Sequence, residues 1–213
     1  DRARLLDRFA RMYAPAIGTG ATMDYLGQTG RDALKGADII KAAPEQYTST
    51  IEYADNGIAK YLRDVARVHT ANLGTQIFYT AHGPFDTHFN QPPMHARLWT
   101  EVSSAISDFF DDLREHDAAD NLVMMIFTEF GRRVRDNGTG TDHGAGGGAF
   151  IIGDNVKGGM YGTYPSLKPE DLNQGDLDPN YDFRGFYSSV IDQWLGLDPV
   201  PIVGGQFEQV QFV

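Results

Sequence analysis

Five side chains in this sequence have the types and spacing to act on one centre: Asp86 and His88, Glu129, and the adjacent pair Asp142 and His143. Carboxylate oxygen and imidazole nitrogen together suit a borderline or hard divalent cation, Zn or Mn first, with Fe, Mg or Ca as alternatives. The chain has no cysteine, so thiolate ligation and disulfides are excluded, while the compartment stays open. In Asp86-Thr87-His88 the two ligand types are two positions apart, and alternate residues of an extended segment share a face. The competing reading is structural, with Asp86 capping a turn, His88 bonding backbone and Asp142-His143 decorating a loop.

Around these residues stand candidate anion binders. Arg132 and Arg133 follow Glu129 closely, and an arginine there could clamp a phosphate or sulfate bidentately or pair with nearby carboxylates. The glycine-rich stretches 138–141 and 144–148 could wrap an anion with backbone N–H groups, or could supply left-handed turns. Neither a P-loop nor a dinucleotide fingerprint is present. Ser103, Ser104, Ser188 and Ser189 lie in helical patterns without a nucleophile-elbow context, which sets a serine triad aside.

The elements that must position these residues follow from periodicity. Residues 1–14 place Leu5, Phe9 and Met12 on one helical face, ended near Pro15, and after a connection at 17–23 a second helix is predicted over 24–43, closed by Pro44. Ile58, Leu62, Val65 and His69 recur at helical spacing, with His69 read as a hydrogen-bonded core or boundary histidine. Residues 76–81 read as a strand, 95–116 as a helix packed by Leu98, Val102, Ala105, Phe109 and Leu113, and 121–128 as a buried strand. Asp111, Asp112 and Glu115 read as that helix's solvated face.

Strand, helix and strand in that order make a βαβ unit. Its parallel strands end on one edge, where ligands bind in open α/β sheets, and that edge would collect Asp86, His88 and Glu129. Residues 149–153 read as a third buried strand and 157–162 as a glycine turn. A surface loop over 165–180 precedes a last helix starting at Asp182 or Arg184, striped by Phe186, Val190, Ile191, Trp194 and Leu195 and capped by Gly196. The tail, with Phe207, Val210 and Phe212 alternating, reads as an edge strand. The fold expected is a single α/β domain.

Charge narrows the partners. With 18 basic against 29 acidic residues the net charge is −11, which repels phosphate backbones and argues against nucleic-acid binding. No apolar run approaches the roughly 20 residues a membrane-spanning helix needs. The first residue is Asp, and the reading allows for a processed chain or part of a longer one.

Three motifs in order, residues 83–91 (GPFDTHFNQ), 128–132 (TEFGR) and 140–144 (GTDHG), followed by 182–187 (DFRGFY), resemble the carboxyl-terminal half of domain-of-unknown-function family 1501. Those proteins are sulfatase-like members of the alkaline-phosphatase superfamily. The resemblance implies a three-layer α/β/α sandwich with a mostly parallel sheet and export by the twin-arginine route to the periplasm or cell surface. It also implies a metal-centred hydrolase ancestry, with Asp86 and His88 as one ligand pair, Glu129 as a strand-end ligand and Asp142 with His143 as another pair. The superfamily's nucleophile belongs to an amino-terminal half with no equivalent here, so a preceding segment or partner chain is expected to complete the site.

The leading reading is a hydrolase of phosphate or sulfate esters with Arg132 on the anion. Its rival is a non-catalytic, metal-stabilised structural or binding protein of the cell envelope. A carbohydrate-binding surface on Trp99, Tyr161 and Tyr164 carries little weight.

Overall fold

The computed structural model describes residues 2–12, 20–42 and 47–213. In chain order these form α1 (Arg2–Met12), α2 (Ala21–Ala42), α3 (Gly57–Thr70), α4 (Gln91–Glu115), β1 (Met124–Ile126), β2 (Gly131–Asp136), β3 (Thr141–Gly144), β4 (Phe150–Ile152), α5 (Phe183–Gln193) and α6 (Val200–Val203). Helix α2 begins three residues earlier than its pattern suggested, which absorbs part of the expected connection. Pro15 and Pro44 lie outside the described residues.

The core is the seam between α3 and α4. Ile58, Ala59, Leu62 and Ala66 meet Ala105, Phe109, Phe110 and Leu113, with Leu122, Met124 and Ile152 packed at its margin. The stripe predicted for α4 is the buried one. The helix starts at Gln91 rather than His95, because Pro92 and Pro93 fit the first turn, where the missing N–H has no intrahelical role. At the far end of α3, His69 Nε2 meets the Ala118 carbonyl at 3.1 Å and Asn121 Oδ1 at 2.8 Å, the boundary role read from its pattern.

Asp112 is not solvated. It is 0% exposed, and its carboxylate accepts from the hydroxyls of Tyr47 and Tyr53, which strap residues 47–53 across α4. His116 completes the group by donating through both ring nitrogens, to the Asp112 carbonyl at 2.8 Å and the Thr48 carbonyl at 2.9 Å. An imidazole can donate twice only when protonated.

The expected βαβ unit is not laid out in the described residues. Residues 76–81 join no ladder, and Ile77 and Tyr79 are exposed. β1 pairs antiparallel with β4, Ile126 opposite Phe150, so the strand that α4 leads into takes its partner from downstream. A second antiparallel pair, β2 with β3, flanks residues 137–140 and carries Asp142 and His143. The tail is extended but forms no edge strand. It runs along α5, where Val210 N–H donates to Ser189 Oγ and Gln193 bonds both Val210 and Phe212.

Candidate metal centre

Two segments build the site, the loop before α4 and the β2–β3 hairpin. In the loop, Thr87 is 3% exposed while the side chains of Asp86 and His88 are 60% and 45% exposed, the alternation that an extended segment imposes. The buried Thr87 is held by Gln91, whose Nε2 donates to the Thr87 carbonyl at 2.9 Å and to its hydroxyl at 3.1 Å. Asn90, at φ 52°, turns the chain into α4 in the left-handed region that asparagine tolerates better than most residues.

The hairpin turns at Asn137-Gly138, with Gly138 at φ 99°. Asn137 Oδ1 accepts from the backbone N–H groups of Thr139 and Gly140, closing the turn on itself. Its amide then reaches outward, donating to the His88 carbonyl at 3.3 Å and to Asp142 Oδ1 at 3.1 Å. Gly140 is buried against Gln91, whose Cβ would lie 2.8 Å from a Cβ placed there, so only glycine allows this approach. The Thr139 carbonyl accepts from Gln91 N–H at 3.0 Å.

Arg132 locks loop to hairpin. Its guanidinium donates to the Thr141 carbonyl at 2.7 Å and to the Phe85 carbonyl at 2.6 Å. Bonds from a charged donor are worth about 1.5–3 kcal/mol each. Arg132 is thus a bracket between backbones. Arg133 turns toward Asp176, at 3.8 Å.

What this scaffold holds is a triangle of ligand atoms. Asp86 Oδ1 lies 2.7 Å from His143 Nε2 and 2.8 Å from His88 Nε2, and the two nitrogens are 3.2 Å apart. Ligands about 2.0–2.2 Å from a shared cation sit roughly 3.0–3.4 Å from one another, so this N2O set is within a few tenths of an ångström of a coordination face. Among the described residues this is the group of three or more ligand-type side chains whose donor atoms converge. Phe130 stacks on the His143 ring at 3.9 Å and 14°, fixing its plane. The hydrogen bond from His143 holds the Asp86 carboxyl below the usual carboxylate range. Asn137, and then His88, do the same for Asp142.

Of the five predicted ligands, the structure joins Asp86, His88 and His143. Asp142 stands on the far side of His88, its Oδ1 3.3 Å from Nδ1. Glu129 is exposed and outside the group. Gly131 and Gly146 are closely packed, since a side chain at Gly131 would strike the Gly146 carbonyl and one at Gly146 would strike Leu177, while Gly138, at φ 99°, and Gly148 have open space around them. Sequence reasoning missed Asn137, Gln91 and Thr87, although the Asn-Gly dipeptide is itself a strong hairpin signal.

No curated protein and no solved structure matches the chain. A match to the family described as protein of unknown function (DUF1501) extends over residues 36–199, most of the chain, and the chain belongs to that family.

Proposed function

We propose that this chain is a metal-dependent hydrolase of phosphate or sulfate esters, or the carboxyl-terminal part of one. The observation that carries the reading is the convergence of Asp86 Oδ1, His88 Nε2 and His143 Nε2 within 3.2 Å of one another. The donor set fits Zn, Mn or Fe better than Mg or Ca, which favour all-oxygen shells. A divalent cation bound there would supply Lewis acidity to an ester oxygen and compensate its charge. The chain's own residues hold and aim the ligands. Phe130 fixes the His143 ring, and Arg132 keeps the loop on the hairpin. Contact of Arg132 with an anion would use the N–H donors that the Phe85 and Thr141 carbonyls leave.

The sulfatase-like, alkaline-phosphatase superfamily, with its three-layer α/β/α sandwich and export to the periplasm or cell surface, belongs to the same proposal through the motif resemblance. Residues 76–81, extended without a ladder partner, are consistent with a chain completed by a preceding segment or a partner chain. The second reading is the metal-stabilised, non-catalytic protein. It draws on one observation: among the described residues no serine or threonine hydroxyl bonds to the side chains of Asp86, His88 or His143.

The test is turnover of aryl phosphate and aryl sulfate esters by the full-length gene product loaded with Zn, Mn or Fe. Activity that disappears with a chelator and falls at least about 100-fold in His143→Ala supports the hydrolase. Tight metal binding with no turnover above background would favour the structural protein.

A further inference from the structure

Asp142 and His143 are neighbours in β3, and successive side chains of a strand leave on opposite faces. One of the pair can enter the centre from this strand, and it is His143, 2.7 Å from Asp86. Asp142 instead meets His88 from behind, with Oδ1 3.3 Å from Nδ1. Asn137 holds that same oxygen at 3.1 Å while also bonding the His88 carbonyl, so the side chain and backbone of His88 are gripped by one turn. With a cation on Nε2, a carboxylate on Nδ1 would keep the ring proton there and orient the imidazole, the arrangement by which outer carboxylates fix metal-binding histidines.

Resting on the metal reading above, we propose that the centre takes one divalent cation on Asp86, His88 and His143. Asp142 stays outside the coordination sphere as a positioning residue acting through His88, with Asn137 as its anchor. Three protein donors on one face leave the remaining positions to water and substrate.

The test is titration of the full chain with Co(II), followed by its visible ligand-field absorption and by calorimetry, in wild type, Asp142→Asn, Asp142→Ala and His88→Ala. The expected result is one Co(II) per chain, with the same band positions in both Asp142 variants but affinity lowered about 10- to 100-fold in Asp142→Ala and less in the isosteric Asp142→Asn. His88→Ala should abolish the bands.

Two equivalents bound by wild type, or shifted bands in Asp142→Asn, would overturn the proposal while leaving the metal reading intact. So would wild-type affinity in Asp142→Ala, even with a lowered melting temperature, since that would mark a merely structural residue. No Co(II) bound by wild type would overturn both.

Discussion

Arg132 joins the loop before α4 to the β2–β3 hairpin, and its partners are carbonyls 47 and 9 residues away. No spacing rule reveals such partners, which is why its charge suggested a ligand rather than a bracket. Replacing it by Met should cost about 2–4 kcal/mol in urea unfolding, since two charge-assisted bonds are lost and two carbonyls are left without them. Lysine, a single point donor, should recover only part of that. The Asp86-x-His88 face was legible because alternation is a local property of extended chain. Asp142 was not, because its role depends on residues 141–144 being a strand, and glycine-rich composition argued for a loop.

At the scale of elements, the helices were legible where a stripe of apolar residues faces one neighbour, as α4 does with Leu98, Val102, Ala105, Phe109 and Leu113. Strand pairing was not, because an apolar run such as 122–127 fixes that a strand is covered without fixing what lies beside it. The strap over α4 was also invisible, since Asp112 draws its partners from Tyr47 and Tyr53, 65 and 59 residues away. Burial and the bond to Asp112 push the Tyr47 hydroxyl up to about 12 and the Tyr53 hydroxyl further in the same direction, so both remain donors.

The carbonyls of Asp112 and Thr48 favour the charged form of His116 and raise its pKa above the ordinary 6.5. A pKa raised on folding adds stability that is complete below the unfolded value and is lost as pH rises through the folded one. The stability gap between wild type and His116→Gln should therefore be widest below the ordinary value of 6.5 and shrink as pH rises through the raised folded value, read by denaturant midpoints across pH. In α5, Gly185 lies against the Glu208 carbonyl with no room for a side chain. Gly185→Ala should lift the tail from the helix and cost about 1–3 kcal/mol, again by denaturation.

Across the whole molecule, the net charge of −11 places the centre in a field that attracts cations and repels free anions. An anionic ester approaching such a surface needs local positive charge, and the cation is the group that would provide it. The molecule also leaves Ile77, Tyr79, Phe89 and Phe183 well exposed. Among the described residues no helix is long and apolar enough to cross a membrane.

The central claim is that Asp86, His88 and His143 hold a cation. Elemental analysis by mass spectrometry of the purified full chain, beside His88→Ala and His143→Ala, tests it most directly. Stoichiometric Zn, Mn or Fe in wild type and none in either variant is the expected result, with wild-type stability raised by about 2.7 kcal/mol at metal concentrations 100-fold above Kd. A wild-type chain that carries no metal, and whose melting temperature does not move when Zn, Mn or Fe is added, would contradict it.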